Sequence, residues 1–176
     1  FKKLYSKVNI PFISSWNSSD LFETKSSKYI GRAGIFGDRA SNYIQNNCDL
    51  LLVLGSRLSI PQIGYNHELF APKAKKIIVD ISLNELNKIS LKNYFKVNND
   101  LKYFLNNFNN QLLKKNYHHE KWLKNCNSLK NKYPVLNDSM KEIKKSKLVN
   151  SFKFIEELSS IANNDEIIVT DMGTSF

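Results

Sequence analysis

Five consecutive apolar residues, Leu50-Leu51-Leu52-Val53-Leu54, are closed by Gly55. The run lacks the alternation of a strand with one wet face, and it is shorter than a helix buried on all sides. A parallel strand covered on both faces explains it best, and parallel strands need crossover connections that are usually helices. Lys76-Ile77-Ile78-Val79-Asp80-Ile81 is a second such strand and Phe95-Lys96-Val97 a brief third. Between them, Asp38 is placed to cap a helix carrying Ala40, Tyr43, Ile44 and Cys48, and Asp100 one with Leu101, Phe104, Leu105, Phe108 and Leu112 on a single face. Strands alternating with helices predict an α/β fold with a doubly wound parallel sheet.

The flanking segments fit the same scheme. A helix end at Phe1 to Tyr5 leads into a strand over Val8 to Ser15, and Ser18, Ser19 and Asp20 offer caps for a further helix. Lys28 to Gly37 and Ser56 to Asn66 are expected to be loops, with a short helix around His67 to Phe70. Beyond 114 the chain changes character. Ten lysines between Lys114 and Lys147 face only Glu120, Asp138 and Glu142, which is how an interdomain connection reads. Trp122, Cys126 and Leu129 sit at helical spacing within it and predict one docking helix. Leu148 to Ile161 resumes as an amphipathic helix, and Asp165 to Asp171 as a strand. The expected organisation is a domain over 1–114, a basic linker over 115–147 and the start of a second α/β domain over 148–176.

The formal charge of +10 raises a nucleic-acid role. Its concentration in one linker, without any RNP, KH or zinc-finger pattern, argues against that role. No apolar run approaches the roughly 20 residues of a membrane span. Cys48 and Cys126 form no disulfide framework or metal motif, which points to a reduced, cytoplasmic setting. A first residue of Phe1 rather than Met, and an end inside Asp171-Met172-Gly173-Thr174-Ser175-Phe176, lead to the expectation that the chain is a piece of a larger enzyme, inactive alone.

In open parallel sheets ligands bind beyond the carboxyl ends of the strands, where loop amides and helix N-termini converge. Three ends carry suitable residues. Gly55 permits close approach and Arg57 has the fork for a phosphate; alternatively Gly55 merely ends a strand and Arg57 pairs with a surface carboxylate. Asp80, followed by Ile81, has a carboxylate for ribose hydroxyls or an adenine amine, or it caps the next turn. Gly173, Thr174 and Ser175 follow the last strand with amides and hydroxyls suited to a diphosphate. Gly31, Gly34 and Gly37 are spaced GxxGxxG, which is not a dinucleotide fingerprint. His67, His118 and His119 lack metal-ligand spacing, and no complete catalytic constellation is present.

Taken in order, Ile10-Pro11-Phe12-Ile13-Ser14-Ser15-Trp16, Gly31-Arg32-Ala33-Gly34-Ile35-Phe36-Gly37, Asn46 to Arg57, Phe70-Ala71-Pro72-Lys73-Ala74 and Ile78-Val79-Asp80-Ile81 resemble the Rossmann-like central domain of thiamine diphosphate enzymes of the acetolactate synthase type. Ile167-Ile168-Val169-Thr170-Asp171-Met172-Gly173 resembles the opening of that family's diphosphate-binding domain. The resemblance implies a thiamine diphosphate- and Mg²⁺-dependent carboligase or decarboxylase acting on a 2-oxo acid and assembled as a homodimer or homotetramer. Gly173, Thr174 and Ser175 would begin the diphosphate loop. In FAD-containing members the flavin nucleotide lies near the positions of Gly55, Arg57, Asp80, Ile81 and Asp100. Two departures count against a flavin: Gly34-Ile35-Phe36-Gly37 stands where Gly-Met-His-Gly is typical, and Ser59-Ile60-Pro61-Gln62 lacks a second arginine. The alternative is a Rossmann-like NAD or FAD module without carbanion chemistry.

Overall fold

A computed structural model describes residues 1–88, 90–112, 119–137, 148–163 and 165–169. It divides into two units, Phe1–Pro134 and Val135–Phe176.

The first unit is α/β with parallel sheets and Rossmann-like. Helix α1 (Lys2–Lys7), strand β1 (Phe12–Ser14) and a 3₁₀ turn (Trp16–Leu21) lead to β2 (Tyr29–Arg32). Helix α2 (Arg39–Asn47), β3 (Leu50–Leu54), the short α3 (Ile60–Ile63), a 3₁₀ turn (His67–Leu69) and β4 (Lys75–Asp80) follow. Then come α4 (Leu83–Lys88), β5 (Tyr94–Asn98), α5 (Leu101–Leu112) and α6 (Glu120–Lys132). Among the described residues all ladders are parallel, in two sheets: β1 with β2, and β3-β4-β5 with β4 central.

Period-two alternation distributes the strand side chains between two covered faces. Leu51, Val53 and Ile78 join a core with Cys48, Leu58, Phe70, Ala74 and Leu86, whereas Leu54 joins Leu4, Val8 and Leu105 on the opposite side. Likewise Phe12 packs with the α1 and α5 side, and Ile13 with Ile30, Ala40, Ile44 and Cys126 on the α2 and α6 side. The α5 face is the one its spacing predicts: Leu101, Phe104, Leu105, Phe108 and Leu112 all enter the core against α1. Each fully buried aliphatic side chain of this kind stabilises by about 1.5–3 kcal/mol.

Several local expectations are corrected. Lys28 to Gly37 is not all loop, because Tyr29–Arg32 forms β2 in register with β1. Gly31 masked it: a Cβ there would lie 2.0 Å from the Asp38 carboxylate, so the strand needs the residue that weakens a strand pattern. No helix begins at Ser18 to Asp20. Ser15 and Ser18 instead close a reciprocal box around the 3₁₀ turn. Asp38 precedes α2 without capping it, its Oδ2 accepting from the Arg32 N–H at 2.8 Å. Ser56 to Asn66 contains α3. The Leu50 to Leu54 run is a parallel strand but lies at the edge of its sheet, so Leu50 is 56% exposed and only Val53 is buried.

In the second unit, helix α7 (Ser151–Ile161) is capped by Asn150, whose side chain accepts from the Lys153 N–H at 3.1 Å. Phe152, Ile155 and Ile161 on its apolar face are exposed. Asp165 to Val169 has no regular structure: a strand exists only through its ladder partner, and none is found among the described residues. Asp171, Gly173, Thr174 and Ser175 lie outside the described residues.

Candidate functional site

The parallel register fixes the site's frame. Leu54 pairs with Val79, Val79 with Val97, and Asp80 with Asn98, so the chain leaves all three strands at one edge. Gly55 begins the exit from β3, its N–H donating to the Val79 carbonyl at 2.9 Å. Arg57 and Leu58 follow with φ of 60° and 47°, in the left-handed region that costs a non-glycine residue of order 1–3 kcal/mol each. Burial of Leu58 in the core holds this turn, and it holds Arg57 outward. The Arg57 Nε donates to Glu85 Oε2 at 3.2 Å, with the arginine side chain 70% exposed.

At the end of β4, Asp80 Oδ1 accepts from the Ser82 N–H at 2.8 Å, an Asx turn. Ser82 then starts α4, its Oγ accepting from the Glu85 N–H at 3.3 Å. Ile81 projects between them and is exposed. Asn98 Nδ2 donates to the carbonyls of Asp80 and Ile81 at 3.2 and 2.8 Å, which ties the ends of β4 and β5 together. Asp100 Oδ1 accepts from the Lys102 N–H at 2.8 Å and opens α5. The structure therefore brings Gly55, Arg57, Asp80, Ile81 and Asp100 to one strand edge. It also realises the plainer alternatives, since Asp80 closes a turn and Arg57 pairs with a carboxylate.

Sequence reasoning missed Glu85 and Asn98. Ser82-Leu83-Asn84-Glu85 is the S-x-x-E signature of a helix start and marks α4 in the sequence. The Glu85 side chain goes elsewhere, pairing with both Arg57 and Lys88. Nothing in the sequence marks Asn98, whose role depends on register.

The β2 exit loop reaches the same region. Ile35 N–H donates to the Pro61 carbonyl at 2.7 Å, and Asn42 holds Gly34 by both its N–H and its carbonyl at 2.9 and 2.8 Å. A Cβ on Gly34 would sit 2.5 Å from the Pro61 oxygen, so this close approach requires glycine. The Trp16 and Phe36 rings meet at a tilt of 49° with centroids 5.5 Å apart.

The remaining reactive groups lie elsewhere. Lys76 is buried, its Nζ donating to the carbonyls of Ala74 and Lys92 at 3.1 and 3.2 Å, and burial holds its amine below the usual lysine range. Burial and then Asp49 push the Cys48 thiol up, and burial and then Cys48 push Cys126 up to about 12. Both cysteines are free. Among the described residues no three His, Cys, Asp or Glu side chains come together to hold a metal ion.

Residues 1–108 match the family described as thiamine pyrophosphate enzyme, central domain. The chain is 36% identical over 88 residues to acetolactate synthase isozyme 1 large subunit of Escherichia coli, covering 50% of this chain and 16% of that protein. It is 29% identical over 174 residues to a probable acetolactate synthase large subunit of Methanocaldococcus jannaschii, covering 97% of this chain and 29% of that protein. Against the large subunit of Cyanidium caldarium the identity is 27% over 179 residues, covering 98% and 29%. The chain spans under a third of the length of these curated relatives.

Proposed function

From the premise that this chain belongs to the thiamine pyrophosphate enzyme family, through the central domain of those enzymes, we propose that it is a piece of a thiamine diphosphate- and Mg²⁺-dependent carboligase or decarboxylase of the acetolactate synthase type. The match over residues 1–108 carries the reading. The relatives are named as acetolactate synthases, which supports a 2-oxo acid as substrate. They are named as large subunits, which supports assembly with further chains; a homodimer or homotetramer is the assembly the family resemblance implies. No helix among the described residues is long and apolar enough to cross a membrane, and the cytoplasm is the proposed location.

Thiamine diphosphate, when bound, supplies the carbanion chemistry on the 2-oxo acid; the protein orients and shields. In this chain the proposed start of its diphosphate loop is Gly173, Thr174 and Ser175, with the basic stretch over 115–147 joining the domain over 1–114 to the one beginning at 148. The piece is inactive alone in this reading, because residues that activate the cofactor and hold the metal belong to other parts of the protein. We read the β3-β4-β5 edge of the described residues as a nucleotide shelf. Three features support a nucleotide there: Arg57 offers a cation to phosphate, Asp80 uses only one carboxylate oxygen in its turn, and Gly55 carries no side chain at the β3 exit, where a Cβ would touch Leu101 at 3.5 Å.

The test has two arms. The gene is expected to encode Gly-Asp-Gly followed a short way on by Asn after Phe176, and the protein it encodes to bind thiamine diphosphate in a Mg²⁺-dependent titration. Tight NAD binding with no thiamine diphosphate binding would instead make the chain a nucleotide-binding module and remove the enzyme reading.

A further inference from the structure

Arg57 does not wait free at the β3 exit. Two consecutive left-handed residues, Arg57 and the buried Leu58, aim its side chain at the first turn of α4, where Glu85 takes the guanidinium at 3.2 Å. Glu85 is held from the other side by Lys88, and its backbone N–H by Ser82, which directly follows Ile81 and accepts on behalf of the α4 start. Glu85 holds Arg57 through Nε alone, so a nucleotide phosphate that takes the fork on that side must displace the carboxylate. Because Lys88 stays with Glu85, the carboxylate keeps one cation when Arg57 leaves.

We propose that Glu85 is an affinity-setting residue, an internal anion that occupies Arg57 in the empty shelf and yields it to the diphosphate of an incoming nucleotide. This rests on the nucleotide reading of the β3-β4-β5 edge. Lys88 makes the exchange cheap, since release of Arg57 strands no carboxylate. The turn keeps the Arg57 backbone beside the start of α4, so the exchange is a change of partner at the same strand exit.

The test is calorimetric titration of the 176-residue chain with ADP, the moiety FAD and NAD share. Wild type, Glu85→Gln, Arg57→Gln and the double variant are compared, with circular dichroism confirming the fold of each. Glu85→Gln is expected to bind ADP about two- to fivefold tighter, the worth of an exposed ion pair. Arg57→Gln is expected to bind about tenfold weaker, and the gain from Glu85→Gln to vanish on the Arg57→Gln background. An unchanged affinity in Glu85→Gln overturns the proposal while leaving the shelf a nucleotide site. The same gain with and without Arg57 also overturns it, because it reports only the removal of a nearby negative charge. If none of the four binds ADP, the nucleotide reading fails and the proposal with it.

Discussion

At the scale of single residues, the core contains a lysine whose charge is offset only by carbonyls. Lys76 is 2% exposed, and its amine meets Ala74 and Lys92 carbonyls with no carboxylate paired to it among the described residues. Its folded value lies below the ordinary one of about 10.4, so the unfolded chain takes up the proton first as pH falls. Stability is therefore full above about pH 10.4 and drops as pH falls from there toward the lower folded value. Relative to Lys76→Met, the wild type should gain stability in urea titrations as pH rises through that window; a pH-independent difference would contradict the burial cost. Cys126 gives a second expectation. With burial pushing its thiol up to about 12 and no exposed surface, Cys126 stays protonated and shielded at pH 8, so iodoacetamide should label it only at the rate of global unfolding.

At the scale of elements, two contacts hold the site's frame. Gly34→Ala drives a Cβ against the Pro61 carbonyl at a φ of +116°, and should destabilise by about 1–3 kcal/mol in denaturant melts with an unchanged slope. Helix α6 is fastened at Lys130, whose Nζ donates to Thr24 and Tyr29 carbonyls at 3.0 and 2.7 Å, and at Asn127, whose amide reaches Ser27 at 2.7 Å. Lys130→Met should cost about 1 kcal/mol and raise amide exchange at residues 24–29 before it does in β4. Helix α6 was legible because Trp122, Cys126 and Leu129 keep a 3.6-residue beat. Strand β2 was not, because Gly31 serves a close approach to Asp38 and breaks the pattern that would announce it. The Leu50 to Leu54 run announced a strand but overstated its burial, since composition cannot tell an edge from a centre.

At the scale of the whole molecule, the chain belongs to a family whose chemistry is carried by a cofactor. The 176-residue chain with thiamine diphosphate and Mg²⁺ should show no shift in thermal midpoint and form no acetolactate from pyruvate, measured by the colour assay for its acetoin product; turnover would refute the proposed division of labour. The ordered motifs fixed the family, the parallel α/β class and the strand ends at which to look, because apolar periodicity and turn residues act locally along the chain. Which partner each polar group takes was settled only in three dimensions. Arg57 meets Glu85 across 28 positions, Asn98 reaches Asp80 and Ile81 across 18 and 17, and Lys130 reaches Tyr29 across 101. Those pairings follow from parallel register and helix docking, and long-range register leaves no periodic mark on a single sequence.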